Sequence, residues 1–163
     1  MMNDARLQVT TPGDREIAMT RTFDAPRRMV WDAYTKPELI RRWLLGPPGW
    51  SMPLCEVDLR VGGTFRFVWT KDGGHEMGMS GVYREIVAPE RLVNTEAFDR
   101  AWYEGEAVAT LVLAENAGRT TITTTVVYAS KSVRDGVLKS GMESGVAASY
   151  DRLAEILASM PAR

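Results

Sequence analysis

What most limits how this chain can fold is its ending. After a long succession of strand-like segments comes one amphipathic stretch, Ser132 to about Met160. Leu138, Met142, Val146, Tyr150, Leu153, Leu157 and Met160 fall on one stripe of a helical wheel. Ser132, with Asp135 three residues on, is placed to cap the start. An antiparallel sheet with one apolar face must bury that face, and no other segment is long enough to cover it. The expected architecture is therefore α+β: a curved antiparallel sheet of about six or seven strands wrapped around a long C-terminal helix. Gly141 and Gly145 interrupt the helix, each at a cost of about 1 kcal/mol relative to alanine. Either another backbone approaches closely there, or room is left for a ligand.

The strands follow from period-two alternation and turn residues. Arg15 to Phe23 reads as a first strand, with Ile17, Met19 and Arg21 on one side. Leu54 to Leu59 leads through Gly62-Gly63 into Thr64 to Trp69, where Phe65, Phe67 and Trp69 share a face. Lys71-Asp72-Gly73-Gly74 signals a hairpin, and Glu76 to Val87 returns with Met77, Met79 and Tyr83 in one phase. Arg91 to Phe98 follows, then Glu104 to Ala114 and the β-branched run Thr120 to Tyr128. Met1 to Gly13 is polar and unpatterned and is expected to be a flexible tail, leaving residues 14–163 as one domain.

Between the first two strands, Phe23 to Trp50 holds three tryptophans and two short helices. Pro26 supplies the first helix start. Thr35-Lys36-Pro37-Glu38 has capping-box spacing for the second, which runs through Trp43 before Gly46-Pro47-Pro48-Gly49 stops it. This hairpin lacks the basic helix that enters a DNA groove, and reads instead as an apolar cover for one end of the sheet. Trp43 and Trp50 are its expected contact points.

Charge and composition exclude several classes. A formal net charge of -1 with no basic run leaves no nucleic-acid footprint. No stretch approaches the ~20 apolar residues of a membrane span, and the start lacks a signal-peptide pattern. The lone Cys55 forms no intrachain disulfide. A cytoplasmic protein is expected.

Several short motifs in order resemble the START-like, or SRPBCC, helix-grip superfamily. The resemblance is to the bacterial group similar to the C-terminal domain of the activator of heat-shock protein 90 ATPase. They are Phe23-x-Ala25-Pro26 with Val30-Trp31, Thr35-x-Pro37-Glu38, Trp43, Gly46-Pro47, Asp58-x-Arg60-x-Gly62-Gly63, Gly81-x-Tyr83-x-Glu85-Ile86 and Pro89-Glu90-Arg91-Leu92-Val93. The resemblance spans about Glu16 to Met160 and implies the helix-grip fold, with a hydrophobic cavity between sheet and C-terminal helix. Its members range from lipid carriers to aromatic-polyketide cyclases, so the fold does not choose the function.

No catalytic set emerges. His75 is the sole histidine and follows a hairpin tip, where a solvated turn residue is the favoured reading. One histidine and one cysteine fall short of a metal-ligand set, and no cofactor motif is present. Cys55 reads as a small buried hydrophobe. Asp58 and Arg60 are spaced to pair with each other. The expected ligand-binding residues are Trp43, Trp50, Phe65, Phe67, Trp69, Met77, Met79, Glu96, Phe98, Trp102, Met142, Val146 and Tyr150, set against an ordinary filled core. Tyr150 and Glu96 supply the polar handles, and Glu96, if buried, becomes a candidate acid or base. The expected partner is an apolar or aromatic small molecule. A cyclase- or hydrolase-like enzyme is the alternative, with a homodimer or a chaperone as further candidates.

Overall fold

Turn chemistry and residue alternation set the strand pairing in the computed structural model, which describes residues 5–161. The order is β1 (Gln8–Thr10), β2 (Glu16–Phe23), α1 (Arg27–Thr35), α2 (Pro37–Trp43), β3 (Trp50–Val57), β4 (Thr64–Lys71), β5 (His75–Val87), β6 (Arg91–Phe98), β7 (Ala107–Asn116), β8 (Arg119–Val127), α3 (Lys131–Lys139) and α4 (Met142–Ser159). All eight strands join one antiparallel sheet in the order β1-β2-β8-β7-β6-β5-β4-β3. The expected α+β architecture is present, with two short helices inserted after β2 and helices closing the chain.

The sheet has one strand more than the expected six or seven. Gln8–Thr10, assigned above to the tail, pairs with Ala18–Thr20 of β2. Three residues are too few to show a period, so only the backbone pairing reveals them. Met1–Asp4, the rest of that tail's start, lie outside the described residues.

The register confirms the shared face of the central strands. Phe67 stands opposite Met79, Trp69 opposite Met77, and Met79 opposite Phe98. Phe65, Phe67, Met79 and Tyr83 are all buried, so this half of the sheet carries a packed aromatic core.

Three local expectations are corrected. The C-terminal helix is two helices, because Ser140 closes α3 and Gly141, at φ 84°, cannot sit in a right-handed helix. Lys139-Ser140-Gly141 is thus a stop signal, a basic last turn followed by a left-handed glycine. The start lies at Ser130, whose hydroxyl accepts from the Val133 N–H at 3.1 Å, and not at Ser132. The capping box at Thr35 does not form either: Thr35 is still inside α1 and its hydroxyl donates to the Trp31 carbonyl at 2.8 Å. Pro37 instead occupies the first turn of α2, with its fixed φ and missing N–H well suited there.

Candidate functional site: a polar seam under the last helix

The inner face of the sheet is read strand by strand from its register. Arg21 on β2 lies opposite Ile122 on β8, and Met19 opposite Thr124. Thr124 in turn faces Leu111 on β7, while Asn94 and Glu96 on β6 face Ala109 and Ala107. The apolar residues of this face belong to two clusters. One gathers Phe23, Leu92, Leu111, Leu113 and Ile122 with Tyr150 and Leu153 of α4. The other gathers Ile17, Met19, Ala107, Ala109, Val126 and Tyr128 with Val137 of α3. Val146 packs against both.

Polar side chains occupy the boundary between them. Arg21, Thr124, Asn94 and Glu96 carry the inward phase of three strands, and small alanines at 107 and 109 stand opposite the last two. Thr124, Asn94, Glu96 and Phe98 are only half-buried although they sit on the covered face. We call this strip the polar seam.

Its electrostatics are those of a dry interior. Burial alone pushes the Glu96 carboxyl up to about 7. Burial, and then the Glu96 charge, raises the hydroxyl of Tyr103 to about 12 and that of Tyr128 still further. The Tyr34 phenol is also raised by burial, and next by Tyr150 beside it. The hydroxyls of Tyr34, Thr124 and Tyr150 are shielded and grouped together, and their mutual hydrogen bonding enters the titration of both tyrosines. Arg21 donates from Nη1 to Asp151 of α4 at 2.8 Å and lies 5.0 Å over the Phe23 ring, leaving its Nε without a partner. Shielded donors and acceptors of this kind are uncommon in folded chains.

The cover at one end is latched. Trp43, 1% exposed, donates from Nε1 to the Ala33 carbonyl at 2.9 Å, and Tyr34 meets it edge-on at 4.8 Å. Trp69 reaches from the sheet to donate to the Leu44 carbonyl at 2.7 Å. The Gly46 N–H donates to Ser149 Oγ of α4 at 2.8 Å. A Cβ on Gly145 would stand 3.4 Å from Pro47 Cδ, so this glycine marks the close approach of the loop after α2. Of the two readings given for Gly145, close backbone approach is the one found.

The thirteen expected lining residues separate into three groups. Trp43, Phe65, Phe67, Met79 and Tyr150 are buried and packed together, so they build core; only Tyr150 also borders the seam. Trp69, Glu96, Phe98, Met142 and Val146 are half-buried, and Glu96, Phe98 and Val146 lie along the seam. Trp50, Met77 and Trp102 depart from expectation. Trp50 belongs to edge strand β3 opposite Lys71, whose ammonium lies 5.9 Å from its ring, so it is no part of the cover. Met77, 40% exposed, sits near the tip of the β4–β5 hairpin, and Trp102, 45% exposed, lies in the loop before β7. Arg21, Tyr34, Asn94, Tyr103, Thr124 and Tyr128 were not anticipated. The available signal was polar residues in the inward phase of apolar strands.

Elsewhere, His75 is exposed and Cys55 is half-buried, its thiol pushed up to about 11 by burial. Arg60 Nε and Asp58 Oδ2 pair at 2.9 Å, in the loop after β3 rather than on a strand. An open groove of about 610 Å³ on the sheet's outer face includes Glu56, Arg66, Ser80, Val82, Ala97 and Glu106. Two of its charges are matched internally, Arg66 to Asp99 and Glu106 to Arg84. Among the described residues, no group of three or more His, Cys, Asp or Glu is placed to hold a metal ion, and no helix is long and apolar enough to cross a membrane.

The family profile described as Activator of Hsp90 ATPase homolog 1-like protein matches residues 24–158. A crystal structure of a Rhodobacter sphaeroides protein superposes with a TM-score of 0.90 at 31% identity, covering 95% of this chain and 99% of that one. A Nitrosomonas europaea protein gives 0.80 at 25% identity, over 91% and 97%. An Aeromonas hydrophila AHSA1-like protein, at 21% identity and a TM-score of 0.71 over 91% and 99%, shares the fold. No curated protein matches the chain. With the profile spanning nearly all of the helix-grip architecture, the chain belongs to the Activator of Hsp90 ATPase homolog 1-like family, within the START-like fold.

Proposed function

We propose that this protein binds an apolar or aromatic small molecule between the sheet and α4, without covalent chemistry. The observation that carries the reading is the polar seam. Half-buried Asn94 and Glu96 stand opposite alanines 109 and 107, and half-buried Thr124 opposite Leu111, between two packed apolar clusters. Apolar walls with a few convergent polar groups are the usual make-up of small-molecule sites. The latched cover, joined to the packed aromatic core through Trp69, would hold that space in shape, which lowers the ordering cost of binding. The lone half-buried cysteine suits a reducing cytoplasm.

Binding to the folded state raises the melting temperature by mass action. A thermal-shift screen over hydrophobic and aromatic compounds should therefore return stabilising ligands, and their effect should shrink in a Val146→Trp variant that fills the seam. A screen with no stabilising compound would end this reading.

The Glu96 carboxyl at about 7 favours a second reading, acid–base catalysis, because that value lies where proton transfer is efficient. Once a substrate is in hand, loss of turnover in Glu96→Gln with retained binding would establish it. A chaperone role rests on the family description alone. A stoichiometric Hsp90 complex recovered with this chain would place that role first.

A further inference from the structure

The arrangement around Glu96 narrows the chemistry of the ligand, given the binding reading above. Phe98 follows Glu96 by two residues on the same face of β6. Its ring lies 5.8 Å from Trp102 and 6.0 Å from Tyr103. Trp102 and Tyr103 meet edge-on at 4.8 Å, and Tyr103 meets Tyr128 at 5.5 Å. Four rings from β6, the β6–β7 loop and the end of β8 thus run past one carboxyl. The arginines of neighbouring strands are already matched, Arg21 to Asp151, Arg66 to Asp99 and Arg84 to Glu106. Among the described residues no ion pair to Glu96 is found, and burial is the one cause of its raised value.

We propose that this end of the seam binds organic cations, amines or quaternary ammoniums carrying an aromatic or apolar body, with Glu96 as counter-ion and Phe98, Trp102, Tyr103 and Tyr128 as the surrounding rings. The faces of aromatic rings attract cations, most strongly where water is excluded. A buried carboxylate without a partner is costly, and a ligand that supplies the missing charge removes that cost. A neutral ligand of the same shape fills the same space but leaves the carboxylate unpaired. The partly exposed Trp102 gives the charged head a place at the rim, while the body lies along the seam toward Val146 and Tyr150.

Protonation tunes this site. The groups facing Glu96 are Tyr103 from the loop, Tyr128 after β8 and Tyr150 from α4, all raised by burial and neutral near pH 7. Arg21 on β2 faces Tyr150 from the other side and pairs with Asp151. Glu96 is the member of this set whose charge changes near pH 7, so cation affinity should climb as pH rises through that region.

The test uses the full chain with two probes of one shape, benzyltrimethylammonium and neopentylbenzene, followed by tryptophan fluorescence and thermal shift. At about pH 8 the cation should bind about tenfold tighter or more, and that preference should fall at about pH 5.5. Glu96→Gln should abolish the preference while keeping the neutral probe. Trp102→Ala, at an exposed position, should weaken the cation about threefold or more with the fold intact. Equal binding of both probes at about pH 8, or an undiminished preference in Glu96→Gln, overturns the cation assignment while leaving small-molecule binding in place. Should Glu96→Gln not fold, a pH-independent preference in the wild type overturns the assignment equally. Binding of neither probe, together with a blank hydrophobic screen, overturns both readings.

Discussion

A carboxyl with no cation partner is an expensive thing to bury, and Glu96 makes the cost measurable. Its folded value of about 7 lies above the ordinary 4.5, so folding favours the protonated acid. The sign follows directly. Below the unfolded value both states are protonated and there is no penalty; between the two values the penalty grows; above about 7 it is complete. Glu96→Gln should therefore stabilise the protein at about pH 8 by about 2–3 kcal/mol, an upper range set by about 1.4 kcal/mol per unit. In urea titrations that gain should vanish at about pH 4.5, and a gain that does not change with pH would show that Glu96 is not held in a dry site. Such a residue is one a stability-driven chain would replace, which is why it points to a task. From the sequence, Glu96 was visible as a strand-phase mate of Phe98, but its lack of a partner was not. That depends on how α4 and the β6–β7 loop pack over β6, which sequence spacing does not show.

At the level of elements, the break between α3 and α4 gives the sharpest contrast. Were Ser130 to Ser159 one helix, Gly141→Ala would add about 1 kcal/mol of stability. Gly141 has φ 84°, where a Cβ costs about 1–2 kcal/mol, so the substitution should lower stability instead. Thermal denaturation separates the two signs. Gly145 is different, because its φ is helical and only Pro47 limits it. Gly145→Ala should be neutral or mildly stabilising, whereas Gly145→Leu should push the loop off α4 and cost about 1–3 kcal/mol. The latch from Gly46 N–H to Ser149 gives a local readout: Ser149→Ala should speed hydrogen exchange at the Gly46 amide while leaving core amides such as Leu111 unchanged. Strands were legible here because alternation and Gly-rich turns speak locally. The capping box, the helix start and β1 were not, since each depends on which of two nearby groups wins a hydrogen bond.

Across the whole molecule, stability and the candidate site occupy different residues. Leu153, fully buried in the first cluster, should cost about 2–5 kcal/mol when truncated to alanine. Thr124→Val removes a shielded hydroxyl grouped with those of Tyr34 and Tyr150, so it should cost about 1 kcal/mol, well below the Leu153 truncation. Urea denaturation of the pair tests whether the seam carries any of the fold's stability. The resemblance and the sheet–helix pattern reached the architecture, yet the inventory of aromatics overstated the cavity. Phe65, Phe67, Met79 and Trp43 fill space, and only register could join Arg21, Thr124, Asn94 and Glu96 from three separate strands. Two apolar clusters with a polar strip between them also have an evolutionary meaning. Under the proposed binding role, substitutions along the strip would retarget the protein to new ligands while the clusters on either side keep it folded. On that role, a lineage using this scaffold would diversify what it recognises faster than it changes its shape.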